Sequence, residues 1–387
     1  MSTALIPSLL LVFAGGLAAL PAVSSRQLGN RLMWQLVQVI CAAFALHILP
    51  DDFPNLESCL YICTSVITAV LRSVFVLFSQ QAYVAAPQPG ASLSRWAAWA
   101  TDTIVSAWDS RVPQYAARGC GKTDQAPNPT PSQHRAKFFV TRAAMIAMIV
   151  AVRHMDFELL VSRFGTAADF ADFIHPTRRQ LLRRLRHVTA REVSIRAWLV
   201  VIHNFYASSA MIFPHCVFSI LFVNVLRMYE PKEWPHLFGS PAEAYTIGRY
   251  WSKFWHRAPV PTYISYAKLV GDKTLPFRRG GQMYRVWVVF FVFACAGLMH
   301  AVTLFIVGFR CGWWEQVYWW SLNFAAVMAE QVVFSAARLV IGDKVVSRPT
   351  WPARILGYVW VFAFQFWSLP KMYYRTTIFC SPVSTLR

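Results

Sequence analysis

The chain predicts an all-α, polytopic integral membrane protein of about seven to nine transmembrane helices, with amphipathic helices lying at the membrane surface. Three observations lead there. Hydrophobic residues fill 56% of the 387 positions and charged residues only 14%, which is too few to clothe two soluble domains of this length. Apolar runs of spanning length recur along the chain. The formal net charge of +19 fits loops that face anionic leaflets and attract an anionic cosubstrate. The same charge on a soluble protein would suggest nucleic acid, but nothing resembles a nucleic-acid module, and no such partner is expected. Eight cysteines are scattered, and Cys41, Cys63, Cys216 and Cys295 sit within apolar runs. A disulfide framework is therefore not expected, and Cys59 with Cys63 shares one helix face. No Cys/His cluster has zinc spacing, so no metal is expected.

The elements follow in order. Ile6 to Val23 is an apolar run with no basic residue ahead of it; Ala22-Val23-Ser24 mimics a cleavage site, yet a retained first span is the expectation. Further spans are expected at Leu32 to Leu49 and Cys59 to Phe78. The acidic turn Pro50-Asp51-Asp52 between them reads as lumenal, and the Arg26 and Arg31 side as cytosolic, so the N-terminus starts in the lumen. His47 and Asp52 match the His-x4-Asp spacing of glycerolipid acyltransferases, but Pro50 interrupts the pair on the lumenal side, and the match is read as chance.

Residues 80 to 137 form a polar interval rich in Pro, Gly, Ala and Ser, with an interfacial helix expected over Trp96 to Trp108. Gly119-Cys120-Gly121-Lys122 lacks the P-loop spacing and its Ser/Thr, so no nucleotide loop is read there. Phe138 to Val152 is apolar but short, and reads as interfacial or re-entrant. Arg178, Arg179, Arg183, Arg184 and Arg186, with Arg191 and Arg196 after them, read as a solvated or headgroup-facing helix; the sharper alternative is a contribution to holding the phosphates of CoA. Ala197 to Val225 is interrupted by His203-Asn204, Pro214 and His215, and a broken or hairpin helix is expected, with His203 and His215 as cavity or packing groups. Later spans are expected at Val286 to Val307, Tyr318 to Ile341 and Ile355 to Trp367. The basic Asp343–Arg348 turn reads as cytosolic, which makes the loop before Val286 cytosolic too, provided residues 138 to 225 cross the membrane an even number of times.

The densest chemistry lies in that loop, Trp234 to Arg257, WPHLFGSPAEAYTIGRYWSKFWHR. Ser240 reads as an N-cap, with Pro241 first in the helix and Glu243 third. Helical spacing puts Tyr245, Ile247, Trp251, Phe254 and Trp255 on one broad face, and Arg249, Lys253 and Arg257 on an adjacent stripe. A basic helix anchored in the headgroup layer by Trp is the plain reading. It does not account for His256, nor for His300 inside the apolar run VVFFVFACAGLMHAVTLFIV. An ionisable group there costs roughly 2 to 4 kcal/mol if charged, so a functional or cavity-facing position is the default, with a structural hydrogen-bonded His as the alternative. Gly297 allows close approach beside it.

The block resembles the signature of the wax synthase-like branch of the membrane-bound O-acyltransferases, in which Trp-Pro-x-Leu-Phe-Gly-Ser-Pro leads into a helix ending Phe/Tyr-Trp-x-x-x-Trp-His. Gly297-Leu298-Met299-His300-Ala301 resembles the family's second block, with its catalytic histidine. Many members carry Asn near the position of His256, a departure that bears on the role of that residue. The similarity is strongest from Trp234 to Ala301. It implies one domain over 1–387, made of N-terminal spans (1–79), a polar and basic region (80–194) and a catalytic region (195–387), in the endoplasmic reticulum. It implies transfer of an acetyl group from acetyl-CoA to a hydroxyl of a hydrophobic terpenoid or meroterpenoid alcohol, as in fungal members, with no permanently bound cofactor. A long-chain wax ester or sterol acyltransferase is the second enzyme reading, and a transporter of a hydrophobic metabolite the non-enzyme one.

The chemistry of such a transfer needs a base near neutrality, and imidazole, with an unperturbed pKa of about 6.5, suits it. His300 is the expected base, acting without an acyl-enzyme, since no Gly-x-Ser-x-Gly turn is present. His256, or the indole N–H of Trp251 or Trp255, is the expected oxyanion donor. Arg249, Lys253 and Arg257 are the expected contacts to CoA phosphates, with headgroup contact as their alternative.

Overall fold

The computed structural model describes residues 7–52, 56–79, 87–88, 90, 92, 95, 132–154, 178, 180–227, 229–256, 258–309, 312–342 and 349–379. Among these residues every regular element is helical. The long ones are α1 (Pro7–Ser24), α2 (Leu28–Asp52), α3 (Leu56–Val74), α4 (Ser132–His154) and α5 (Ala190–Ser219). They are followed by α6 (Val260–Thr274), α7 (Gln282–Ile306), α8 (Trp313–Ile341) and α9 (Trp351–Phe379). Among the described residues, four stretches are long and apolar enough to cross a membrane: Leu28–Asp51, Cys59–Ser79, Ala190–Val225 and Gln282–Ile306. The interfacial helix expected over 96–108, the Gly119–Lys122 segment and the 343–348 turn lie outside the described residues.

The chain forms two compact units, each assembled from two separate stretches. Unit 1 takes Met1–Gln125 and Ala258–Gly308; unit 2 takes Ala126–Arg257 and Phe309–Arg387.

In unit 1, α1 and α2 form a hairpin that packs through small residues. Ala18 and Ala22 are buried on one side and Ala42 and Ala45 on the other, and a Cβ on Gly15 would stand 3.2 Å from that of Cys41. In lipid, where apolar surface has no water to escape, such close backbone approach supplies the packing energy. Arg31 closes the hairpin, donating Nε to the Ser25 carbonyl at 2.7 Å and Nη1 to the Leu77 carbonyl at 2.8 Å. Cys59 and Cys63 share the buried face of α3 with Leu49, as their spacing predicts. A π turn, Phe75–Ser79, extends α3. The Tyr266 hydroxyl ties α6 to α3 at the Leu71 carbonyl, 2.7 Å away. The α6–α7 hairpin is tight at Gly271, where a Cβ would lie 2.8 Å from the Trp287 indole nitrogen.

In unit 2, α4 and α9 both pack along α5, and α8 packs on α9. The structure corrects two expectations here. Ala197 to Val225 is no hairpin: one helix runs from Ala190 through Pro214 to Ser219 and continues as a π turn, Ile220–Val225. Proline removes a single donor, which a helix held by neighbours tolerates. The partner α4 grips that end, since the Arg135 guanidinium reaches the Val223 carbonyl and pairs with Glu230 at 2.9 Å.

The arginine-rich segment is not simply solvated, either. Glu192, 1% exposed, collects three guanidinium groups: Arg196 at 3.0 Å, Arg178 at 2.9 Å and Arg184 at 3.4 Å. Arg196 is fully buried and also donates to the Arg178 carbonyl. The expected headgroup-facing surface is left to Arg183 and Arg186, both exposed; Arg179 lies outside the described residues.

Candidate functional site

The Trp234 end of the aromatic block is clamped by α4. Trp234 is buried against Phe222, Tyr229 and His215, with ring centroids 6.0, 5.9 and 5.4 Å away. Arg142, 3% exposed, donates to the Trp234 carbonyl at 2.6 Å and meets His236 Nδ1 at 3.3 Å. A guanidinium can only donate, so Nδ1 accepts and the ring proton sits on Nε2. Burial, and then the charge of Arg142, hold His236 below the usual imidazole range.

The next turn explains its own residues. Ser240 Oγ accepts from the Ala242 N–H and Pro241 opens a turn, as expected, but the turn is a three-residue 3₁₀ piece, Pro241–Glu243. Gly239 donates to the Phe254 carbonyl at 2.8 Å, and a Cβ there would fall 1.9 Å from the Lys253 oxygen. Only glycine lets the two strands of this loop touch. The chain then leaves helical geometry and restarts at Thr246, whose hydroxyl caps a short helix, Ile247–Arg249, that passes into a π turn, Tyr250–Phe254. Trp255 follows with extended backbone, ψ 150°.

The single amphipathic helix expected from Pro241 to Arg257 is therefore corrected to three short pieces. Its cationic stripe does not persist. Arg249 pairs with Glu243 and lies 4.5 Å over the Tyr245 ring, Lys253 is exposed, and Arg257 lies outside the described residues.

The cause is Glu330, which local sequence does not announce. Its carboxylate, 6% exposed on α8, accepts from the N–H of Ile247 at 2.6 Å and of Gly248 at 2.8 Å. The Trp360 indole of α9 donates to it as well, at 2.8 Å. A buried carboxylate at a helix start satisfies open N–H groups and the dipole together, so the helix begins where Glu330 holds it. Helix α9 presses on the same loop. A Cβ on Gly357 would lie 2.1 Å from the Tyr245 oxygen, and the Tyr358 hydroxyl donates to the Ala242 carbonyl at 2.6 Å.

The π turn delivers its aromatic side chains into a polar and aromatic cluster. The Tyr250 hydroxyl donates to Asn204 Oδ1 at 2.7 Å, and Asn204 Nδ2 donates to Gln365 Oε1 at 2.8 Å. Burial pushes the Tyr250 phenol up, so it stays a donor. Trp251 Nε1, an expected oxyanion donor, donates to Asn323 at 2.9 Å. Trp255, 8% exposed, stacks on His203 with a 5° interplanar angle, and His203 Nδ1 lies 2.6 Å from the Tyr373 hydroxyl. His256 sits at the edge, its ring 5.6 Å from Phe238 and 5.8 Å from Trp255. His215 stands apart, against Trp234. Sequence reasoning missed Asn204, Asn323, Glu330 and Gln365 as functional positions. Their one signal was polarity inside otherwise apolar helices.

His300 belongs to unit 1. Along its stripe of α7, Gly297, Thr303 and Leu304 are buried, whereas His300 itself is exposed. Among the described residues, no three of His, Cys, Asp and Glu gather closely enough to hold a metal ion.

Residues 234–324, from the Trp234 clamp through His300 and into α8, match the family described as "Membrane bound O-acyl transferase family". Over these residues the chain resembles the membrane-bound O-acyltransferases. Its resemblance extends to fungal proteins named as acetyltransferases. The chain is 28% identical to Acetyltransferase aurG of Calcarisporium arbuscula over 74% of this chain and 67% of that protein. It is 27% identical to Acetyltransferase ple2 of Rhodocybe pseudopiperita over 40% of each chain. With Acetyltransferase atnC of an Arthrinium species it shares 28% identity over 49% of this chain and 42% of that one. The chain thus spans about two thirds of the first relative and about two fifths of the other two. No solved structure matches it. With four helices among the described residues fit to cross a bilayer, it is a membrane protein.

Proposed function

We propose that the protein is an O-acetyltransferase that moves the acetyl group of acetyl-CoA onto a hydroxyl of a hydrophobic secondary metabolite, a terpenoid or meroterpenoid. The observation that carries this reading is the family match over 234–324, which joins the aromatic block to His300, an ionisable residue in an apolar helix. The names of the fungal relatives support acetyl as the group transferred.

In this reading His300 takes the proton of the acceptor hydroxyl as its oxygen attacks the thioester carbonyl. The new C–O bond forms, the C–S bond breaks, and the CoA thiolate recovers the proton from the imidazolium. His256 or the Trp255 indole donates to the tetrahedral oxyanion; Trp251 serves only if it releases Asn323. Lys253 and Arg257 meet the CoA phosphates, joined by Arg249 when it leaves Glu243. In this reading the whole chain works as one domain with seven to nine spans, four of them the stretches already named, in the endoplasmic reticulum.

The test is acetyl transfer by microsomes carrying wild type or His300→Ala, given labelled acetyl-CoA and a pool of terpenoid alcohols. Labelled ester from wild type and a loss of about a hundredfold or more in an equally abundant variant is the expected result. Full activity in the variant removes His300 from the mechanism. Ester formed from long-chain acyl-CoA alone moves the reading to wax or sterol esters.

A further inference from the structure

The turn that joins α6 to α7 gathers cations that the two helices do not use. From Lys268 to Arg285 the chain carries Lys268, Lys273, Arg278, Arg279 and Arg285 against one carboxylate, Asp272. All five cations are exposed, and every residue from 258 to 309 is described. Asp272 is already engaged: it pairs with Arg279 at 2.9 Å and accepts from the Tyr284 hydroxyl at 2.7 Å. Even so paired, the Arg279 side chain is 76% exposed. Arg285 donates Nε to the Gly280 carbonyl at 3.1 Å, a bond that leaves its charge in place. Helix stability does not account for this charge. Lys273 lies in the last turn of α6, where a cation suits the dipole. Arg285 lies in the first turn of α7 with Arg278 and Arg279 just ahead of it, where cations oppose the dipole, and that first turn holds no acidic residue.

The turn is ordered by its own contacts. The Gly281 N–H returns to the Arg278 carbonyl at 3.0 Å, Gly280 takes the left-handed φ of 76°, and Asp272 ties the end of α6 to Tyr284 of α7. Its level is set by α7, which is long and apolar enough to cross a membrane and whose apolar run opens at Val286, the residue after Arg285. The turn therefore stands at the height of the headgroups. Phe277 and Met283, 39% and 58% exposed, flank the arginines of the tip. Apolar side chains facing outward among basic ones fit a surface that is anionic outside and apolar beneath.

We propose that Lys273–Arg285 is a docking surface for anionic phospholipid headgroups, with Lys273, Arg278, Arg279 and Arg285 as the cationic contacts and Phe277 and Met283 as apolar pins. The occupant is the leaflet at this end of α7. A basic cluster beside a span holds anionic lipid by the summed attraction of its charges. Because Asp272 and Tyr284 tie the turn to α7, the contact also sets the depth of that helix in the bilayer. His300 follows Arg285 by 15 residues, about 22 Å along the axis, and is carried at a fixed depth with it. The surface does not depend on the acetyl-transfer reading.

The test places full-length protein in nanodiscs of phosphatidylcholine, or of phosphatidylcholine with phosphatidylserine, and follows backbone hydrogen exchange by mass spectrometry. Amides of Phe277–Met283 should exchange about fivefold or more slowly in the serine-containing discs, the effect of one basic side chain held at a charged surface. Peptides around Gly308, at the other end of α7, should not respond, and raised salt should remove the difference. Lys273→Gln with Arg278→Gln and Arg285→Gln leaves the Asp272–Arg279 pair in place and should abolish the slowing. Arg278→Gln alone, at the exposed tip, should reduce it and keeps the test valid if the triple variant does not fold. Equal exchange in the two bilayers, an equal response at Gly308, or slowing that survives in the folded variants overturns the proposal. So does protection by CoA in phosphatidylcholine discs with no response to phosphatidylserine, which would assign the turn to a soluble phosphate ligand.

Discussion

Glu192 and Glu330 are both buried carboxylates of unit 2, and they are satisfied in opposite ways. Glu192 is met by full charges, three guanidinium groups within 3.4 Å. Glu330 is met by dipoles, two backbone N–H groups and one indole within 2.8 Å. The first arrangement gathers several cationic side chains onto one carboxylate. The second spends the charge on geometry, because the two N–H groups lie on successive residues and fix where the helix before Tyr250 begins. A buried acid can therefore serve as an electrostatic anchor or as a placement device, and its partners, not its burial, tell which.

The comparison breaks most sharply at Glu192. Replacing it with Gln takes from buried Arg196 the carboxylate it donates to and should cost about 3–5 kcal/mol, read as a lower apparent melting temperature in detergent. The double variant Glu192→Met with Arg196→Met should recover much of that loss, since a neutral pair of similar volume needs no counter-charge. No recovery would mean that Arg178 and Arg184 depend on Glu192 more than Arg196 does.

Glu330→Gln should cost about 1.5–3 kcal/mol, since one carboxylate oxygen becomes an N–H facing donors. Because Glu330 places the block that carries Trp255 and His256, the same variant should lower kcat more than it raises KM for acetyl transfer. Loss of stability with kcat unchanged would reduce Glu330 to a structural role.

The smallest effect is expected at the Arg142–His236 contact, a full charge resting on a neutral acceptor. His236 lies below the usual imidazole range in the folded chain. The unfolded chain therefore binds the proton first, and stability falls as pH drops from about 6.5 toward the lowered value. Between pH 7 and pH 5 the melting temperature of wild type should fall more than that of His236→Gln. Parallel slopes would show that other groups carry the pH dependence.

What the sequence made legible follows from what is local. Hydropathy located the spans at Leu28–Asp51, Cys59–Ser79 and Gln282–Ile306 to within a few residues, and turn chemistry located the Ser240 cap. Pro214 and His215 misled, because breaker residues report the intrinsic cost of a helix and not the neighbours α4 and α9 that hold it. The aromatic block misled for the same reason. Its spacing describes an uninterrupted helix, whereas Gly239 against Phe254 and Glu330 against Ile247 divide it through contacts that no window of sequence contains. In α8 and α9 the polar residues Asn323, Glu330 and Gln365 are buried, and a polar residue in an apolar helix does not announce which partners it will organise.

The order of synthesis gives the two carboxylates different histories. Glu192 finds its guanidinium partners 14 residues back, 8 back and 4 ahead, so its cluster can close as soon as that stretch of chain has left the ribosome. Glu330 needs Ile247, made 83 residues earlier, and Trp360, made 30 later. The two units are interleaved in the chain as well, so unit 1 is not complete until Gly308 has emerged, after the first stretch of unit 2 has been made. The aromatic block must therefore wait, partly assembled, for the last two helices to arrive. Its final shape is among the last features of the molecule to be set.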